Sequence, residues 1–458
     1  MLHKNEEYEG LVEGYGTDGE GIIKIQGTTA FVPFCLVGER VSFKVLKVKG
    51  NIAYGKLIKV LTPSYARVNP VCPVFGKCGG CDLQHMDYAE QLKFKSEGVK
   101  NVLNKIGSIY VGINETVACE KQYAYRNKLS LPVGVDEEGN TVVGFYARRS
   151  HRIIPVDNCA IQSEWVKDVI SAVKEFAKTC KKGVIRHIVA RQLGEQFIFA
   201  LVATKKINAD KLADILSEKF KNFTLLLNVN DTDTNVIFGQ EWHICHGEGF
   251  FEAEDLGIKY RAGANTFLQV NDDIREKLYN AVLENAEEGA VAIDLYSGGG
   301  MLTAMLAKKC GIAYGIEIVE EASRCADELK ERNGLSGKMF NICGAVEDNI
   351  DKVFERTSGK RRIIVCDPPR KGMERSVVKA IARSDADKVI LVSCNPATLA
   401  RDLGLLCGTL EERDGALVKT GSQCGAYKIV SITPFDMFPQ TKWVETLVVL
   451  SRKNFQKA

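Results

Sequence analysis

Four short stretches of the chain carry residues able to do chemistry. At 392–402 it reads VSCNPATLARD, with Cys394 at the end of the apolar run KVILVS, against Asn395 and Pro396. Proline has no N–H to donate and cannot continue a central strand, so Cys394 is expected where a strand stops and its loop opens. In open α/β sheets that edge is where ligands bind. A second strand-like run, RRIIVC, ends in Asp367-Pro368-Pro369-Arg370, which places an acid at the same edge as the thiol. A cysteine is needed when the target is carbon 5 of a pyrimidine, which is not nucleophilic by itself. Thiolate addition at carbon 6 turns the ring into an enolate that can take a methyl group. The adduct must then lose its carbon-5 proton to a base before the thiol leaves. Glu445, in DMFPQTKWVETLVV just before the last apolar strand, is the candidate base.

The third stretch would hold the methyl donor. Tyr296-Ser297-Gly298-Gly299-Gly300 follows the apolar run AVAIDL, and three glycines where a strand turns into a helix let a ligand approach the backbone. A dinucleotide site would need G-x-G-x-x-G, but Thr303 stands at the last glycine, which favours a nucleoside without pyrophosphate. Glu317 ends the second strand, 21 residues after Tyr296, where a carboxylate can bind both ribose hydroxyls. From residue 290 onward, strand–loop–helix units repeat and imply a parallel sheet with helices on its faces.

The fourth stretch is VCPVFGKCGGCD, where Cys72, Cys78 and Cys81 are spaced C-x5-C-x2-C among three glycines. Three thiolates need a fourth ligand. Cys159, in the polar turn IPVDNCAIQ, suits the role better than Cys119 or Cys180. Zinc and an iron–sulfur cluster both accept four thiolates, and spacing does not separate them.

The elements that must position these groups fall into three segments: 1–64, 65–262 and 263–458. Residues 8–60 read as short glycine-punctuated strands of alternating polarity, a small barrel. From Arg40 through Cys81 there is no Asp or Glu, yet Arg40, Lys44, Lys47, Lys49, Lys56, Lys59, Arg67 and Lys77 are basic. A one-sign block of this kind is the footprint of phosphate binding. Apolar residues at helical spacing predict a helix over about 86–107 that packs on another part of the molecule. Beyond it, Arg126, Lys128, Arg148 and Arg149 lie among Tyr125, Phe145 and Tyr146 on two strands, a composition that suits single-stranded nucleic acid. The stretch 184–260 carries no legible chemistry. Overall, 458 residues with 45% hydrophobic, 26% charged and a net charge of +3 describe an ordinary globular protein. The acidic start MLHKNEEYEG is unlike a signal peptide, and no apolar stretch reaches the ~18 residues a membrane span needs. Fifteen scattered cysteines do not form a secreted disulfide framework, so a cytoplasmic, non-membrane monomer is expected.

Taken together, GANTFLQVN, DLYSGGG, GIEI, DPPRKG, VSCNPATLARD and DMFPQTKWVE resemble the signature of the RNA 5-methyluridine methyltransferase family. GxGI near Gly19–Ile22 and FVPF…GERV from Phe31 to Val41 resemble a TRAM domain, an RNA-binding module. With that module and the cysteines in front, the chain is most similar to bacterial 23S rRNA (uracil-C5)-methyltransferases. The resemblance implies a multidomain α/β protein: an OB-like TRAM barrel, a central α+β iron–sulfur domain and a C-terminal class I, Rossmann-like methyltransferase domain. It further implies S-adenosyl-L-methionine as methyl donor and 23S rRNA as partner, before or during ribosome assembly. Cys394 would be the nucleophile and Glu445 the base, while Gln269, Tyr296, Glu317 and Asp367 would form the cofactor and target pocket. Phe267 would be a platform for a flipped base, and Cys72, Cys78, Cys81 and Cys159 would bind a [4Fe-4S] cluster. The chain departs from the family in having Trp443 where many relatives have His, Met301 in the glycine loop, and a longer insert over 409–428. A tRNA uridine-5 methyltransferase, an RNA cytosine-5 methyltransferase and a non-catalytic RNA-binding iron–sulfur protein are the alternatives. Cytosine-5 enzymes generally have a second cysteine after the strand-four proline, where this chain has DPPR.

Overall fold

Alternation of apolar and polar residues builds the first five strands: β1 (Glu7–Tyr15), β2 (Gly21–Ile25), β3 (Thr28–Val32), β4 (Arg40–Lys49) and β5 (Ile52–Thr62). They close into a barrel in the order β1-β2-β3-β5-β4. Ala30, Val32, Val41, Phe43 and Val45 fill its interior while the residues between them face outward, the period-two pattern of a half-buried strand. Glu39 is fully buried and accepts N–H groups from Leu36 (2.8 Å) and Ser64 (3.2 Å) and two from Arg67 (2.5 and 2.7 Å). Burial alone would raise its carboxyl, yet the Arg67 guanidinium and the two amides hold it below its ordinary value. Arg67, part of the basic run, is therefore engaged inside the fold rather than free for phosphate.

The computed structural model describes residues 2–453. It comprises two units, one of Met1–Lys95, Lys121–Gly247 and Phe438–Lys442, the other of Ser96–Glu120, Glu248–Met437 and Trp443–Ala458. The predicted helix is α1 (Tyr88–Val102), continued by a π-helical turn over Leu103–Gly107. The first unit holds, besides the barrel, a sheet built from β6 (Lys128–Val135), β7 (Thr141–Tyr146), β8 (Ile153–Pro155), β9 (Ile185–Leu193), β10 (Gln196–Ala203), β11 (Phe223–Val229) and β12 (Glu241–His246). Its strand order is β12-β11-β10-β9-β6-β7-β8. Helices α2 (Val166–Ala177) and α3 (Asp210–Ser217) bury Val169, Val173, Phe176, Leu212 and Leu216 against Leu131, Phe199 and Leu225 of that sheet.

In the second unit Val99, Leu103 and Ile109 join the core that contains Ile293, Leu403 and Val448, so the end of α1 does pack on the C-terminal fold. A hairpin, β13 (Phe250–Asp255) and β14 (Ile258–Gly263), precedes α4 (Asp272–Glu284), whose N-cap Asn271 side chain accepts from the Ile274 N–H. The units that follow alternate: β15 (Val291–Leu295), α5 (Met301–Cys310), β16 (Ile312–Glu317), α6 (Glu320–Arg332), β17 (Met339–Cys343), α7 (Val346–Arg356), β18 (Arg362–Cys366), α8 (Arg375–Arg383), β19 (Lys388–Ser393) and α9 (Pro396–Cys407). The 409–428 insert contributes a small hairpin, β20 (Leu410–Arg413) and β21 (Ala416–Lys419), before β22 (Tyr427–Phe435) and β23 (Glu445–Arg452). The sheet order is β17-β16-β15-β18-β19-β23-β22. The first five strands are parallel and β23 runs antiparallel to both its neighbours. Every residue of β15 and β18 is buried, as strands covered on both faces must be. The chain leaves β15 toward one edge of the sheet and returns at β18 toward the other, and this reversal opens a crevice at the carboxyl ends of the two strands. Among the described residues no helix is long and apolar enough to cross a membrane.

Candidate active site

The crevice is built by three strand ends. After β15 the backbone turns sharply: Tyr296 adopts φ 68°, Gly298 φ 54° and Gly300 φ 81°. A Cβ on Gly300 would stand 2.7 Å from the Ala326 Cβ, so glycine is required there both by space and by its left-handed backbone. Glu317, closing β16, accepts the Gly298 N–H (2.9 Å) and the Val319 N–H (2.7 Å), which fixes the loop and aims the carboxylate over it. Thr303, standing where the dinucleotide motif has its last glycine, donates its hydroxyl to Asp294 (2.5 Å). Asp294 is buried, and burial, with Asp367 and Glu317 nearby, pushes its carboxyl up to about 7. Asp367 is likewise pushed up to about 7 by burial. The sequence reading missed Asp294, whose place inside an apolar strand was its only signal.

The side chain of Tyr296 packs, partly buried, against the core of the second unit. Its buried hydroxyl lies near Asp402 and the Glu374 backbone, and burial raises it above the ordinary phenol range. Gln269 is buried, while Phe267, two residues earlier, is 72% exposed and presents its ring to solvent.

Cys394 is the single residue between β19 and the N-cap of α9. Asn395 accepts the Ala397 N–H (3.1 Å), and Pro396 opens the helix where its missing N–H costs nothing. In the antiparallel register Ser393 pairs with Thr446, so one step further along sets Cys394 opposite Glu445, the first residue of β23. Burial raises the Cys394 thiol; the Glu445 and Asp367 carboxyls add to this, and the nearby Arg370 guanidinium opposes it. Glu445 is buried and raised well above the ordinary carboxylate range, first by burial and then by Asp367, with Arg370 again opposing. Thiol, two carboxyls and one guanidinium thus converge at the edge of the crevice.

The loop carrying Asp367 and Arg370 is held by α9. The Arg370 carbonyl accepts Asn395 Nδ2 (2.9 Å) and Thr398 Oγ1 (3.4 Å). Buried Asp402 accepts the Met373 N–H (3.0 Å), and Arg401 Nη2 donates to the Met373 carbonyl (2.8 Å). The polar residues of NPATLARD are therefore the clamp for the strand-four loop.

In the first unit the cysteine loop lies against the β7–β8 region: Cys78 bridges to Ala147, and the Gly79 N–H donates to the Tyr146 carbonyl (2.9 Å). Burial, reinforced by Cys159, Cys78 and Cys72, pushes the Cys81 thiol up to about 12. Burial likewise takes Cys159 to about 11, with Cys78 and Cys72 adding to it. The four sulfurs thus share one neighbourhood. A tetrahedral ion would draw them to about 2.3 Å from itself, and among the described residues no three His, Cys, Asp or Glu side chains are placed to hold one. The central fold is α+β, and Cys72, Cys78, Cys81 and Cys159 stand near one another within it.

The basic residues divide. Arg148 hydrogen-bonds Asp82 and lies 5.5 Å over the Phe34 ring, and Arg149 pairs with Asp18 (3.2 Å), so both are engaged within the unit. Lys128 stands opposite Arg191 in the β6–β9 register, and Arg126 Nε donates to the Lys128 carbonyl (3.2 Å). Burial, then Arg191 and Arg126, push Lys128 down to about 8. Arg191 was invisible in the sequence because cross-strand register is set over 60 residues of intervening chain.

The strand order, the glycine turn at its reversal and the acid closing β16 define a class I methyltransferase fold. The tRNA (Uracil-5-)-methyltransferase family model matches residues 87–453, and the TRAM domain model matches residues 3–58. An uncharacterized RNA methyltransferase of Clostridium tetani is 38% identical over 466 residues, covering 98% of this chain and 97% of its own. One from Clostridium acetobutylicum is 37% identical over 470 residues, covering 98% of each. The Pyrococcus abyssi tRNA (uracil-54, C5)-methyltransferase in complex with S-adenosyl-L-homocysteine shares the fold, with a TM-score of 0.73 at 24% identity over 96% of this chain and 99% of its own. The chain belongs to the tRNA (Uracil-5-)-methyltransferase family and is an S-adenosylmethionine-dependent RNA uracil-5 methyltransferase carrying a TRAM domain.

Proposed function

We propose that the protein methylates carbon 5 of a specific uridine in 23S rRNA, in the cytoplasm, through a covalent adduct of Cys394 with carbon 6. The observation that carries the mechanism is the register that sets Cys394 opposite Glu445, with Asp367 and Arg370 beside them. S-adenosylmethionine, when bound, supplies an electrophilic methyl group. Glu317 would bind its ribose hydroxyls, and Gln269, Tyr296 and Asp367 would line the cofactor and target pocket. The carboxyls of Asp294, Glu317 and Asp367 around one crevice suit a cationic ligand, since a nearby positive charge favours their ionised forms.

The Cys394 sulfur bonds carbon 6, the carbon 5–carbon 6 electron pair moves into the ring as an enolate, and carbon 5 takes the methyl group. Glu445 then accepts the carbon-5 proton. The double bond reforms as the carbon–sulfur bond breaks, returning the thiolate. A carboxylate raised by burial is a stronger base toward a carbon-bound proton than one in water. Phe267 would stack the flipped base, and Arg126 and Lys128 would meet phosphates. Arg148 and Arg149 would act mainly by holding these surfaces in shape. With S-adenosylmethionine present, RNA tritiated at uracil carbon 5 is expected to release tritium, and cytosine-labelled RNA is not. Nucleoside mass spectrometry of 23S rRNA and tRNA from a deletion strain identifies the substrate: loss of a 5-methyluridine from tRNA alone would replace rRNA by tRNA.

We further propose that Cys72, Cys78, Cys81 and Cys159 hold a [4Fe-4S] cluster with a structural role. Support comes from four mutually close, half-buried thiols; burial raises those of Cys78, Cys81 and Cys159, a shift that a metal reverses by binding the thiolate. Methyl transfer needs no electrons, so loss of the cluster should loosen RNA binding or the fold and leave the reaction type unchanged. Anaerobically purified protein is expected to contain iron and sulfide in equal amounts, with visible absorbance that disappears in a Cys81→Ser variant. Stoichiometric zinc without sulfide would replace the cluster by a zinc site.

A further inference from the structure

Arg370 opposes both carboxyls at the site, yet its side chain is long and its position is exposed. The backbone of Arg370 is well fixed, by the two prolines before it and by Asn395 and Thr398. None of these contacts restrains the guanidinium. That group lies over the Trp443 indole, 4.6 Å from the ring centroid, on the segment leading into β23 two residues before Glu445. An indole face is the best aromatic partner for a guanidinium. Trp443 is itself 40% exposed, more than packing into the core would leave it, and its ring face meets the Arg370 guanidinium. The strand that delivers the base therefore also delivers the surface on which the arginine rests.

We propose that Trp443 is a positioning residue: its indole holds the Arg370 guanidinium against the Cys394 sulfur, so that the nucleophile has its counter-cation in place before RNA arrives. The inference rests on Cys394 being the nucleophile. The charged groups facing the sulfur are Glu445 from β23, and Asp367 and Arg370 from the loop after β18. Two of the three are acids that disfavour the thiolate, and Arg370 acts the other way. When the guanidinium is free to swing into solvent, screening removes most of its effect, and the thiol becomes harder to ionise. At neutral pH the enzyme then holds less thiolate, and addition to carbon 6 slows.

Alkylation of Cys394 by iodoacetamide, followed over roughly pH 6 to 10 by mass spectrometry of its peptide, reads this thiol without any turnover. Trp443→Leu is expected to move the midpoint upward by about one pH unit, the low end of a nearby opposite charge's effect. Turnover at neutral pH should fall about tenfold and recover at higher pH, in proportion to the thiolate fraction. Trp443→Phe keeps an aromatic face and should restore most of both. In an Arg370→Ala background, Trp443→Leu should add no further shift. S-adenosylhomocysteine affinity and melting temperature report whether the fold is intact, and Trp443→Met is a second non-aromatic replacement should the leucine variant not fold. An unchanged midpoint in both non-aromatic variants, or an equal shift without Arg370, overturns the proposal. Turnover surviving in Cys394→Ala would instead remove the nucleophile assignment while leaving the alkylation shift measurable.

Discussion

Cys394→Ala is expected to abolish methyl transfer and covalent RNA capture together, with turnover lower by about four orders of magnitude or more, as loss of a covalent nucleophile costs elsewhere. The reason is chemical. Carbon 5 of uracil cannot attack a methyl donor until carbon 6 has been saturated, and Cys366, the thiol beside Asp367, is fully buried inside β18 and raised by burial, whereas Cys394 is partly exposed. Cofactor affinity should stay within about twofold, because Glu317, Asp294 and the glycine turn are held by their own hydrogen bonds and do not depend on the sulfur. Isothermal titration with S-adenosylhomocysteine, alongside the tritium-release assay, separates the two effects. Wild-type turnover in the alanine variant would rule out the covalent route.

Glu445→Gln should behave in the opposite manner, trapping methylated RNA on the enzyme. Glutamine keeps the size of the side chain and removes its ability to take the carbon-5 proton, so elimination should slow by about 10²–10⁴-fold. Formation of the adduct should not suffer. The Glu445 carboxyl raises the Cys394 thiol, so a neutral amide there favours the thiolate. A retarded, methylated band that persists on a denaturing gel is the expected observation. Rapid release of methylated product would assign proton removal to another group.

What the sequence determined by itself was local. Pro396 ends a strand, Asn395 caps a helix, Gly298 and Gly300 supply turns with φ above zero, and two prolines fix the exit of β18; each is decided within a few residues. The residue chemistry at those strand ends, a thiol and three acids, was legible for the same reason. What only the tertiary structure decided was pairing across distance. β23 inserts antiparallel between β19 and β22, and that register sets Glu445 opposite Cys394 although 50 residues separate them. The same kind of long-range pairing set Arg191 against Lys128 and laid Arg370 over Trp443. It also paired Arg67 with Glu39 and Arg148 with Asp82, and set the exposed Arg149 beside Asp18, where the sequence had shown only positive charge. Charge and periodicity are properties of a segment, whereas a counter-ion belongs to whichever strand or loop the fold brings alongside.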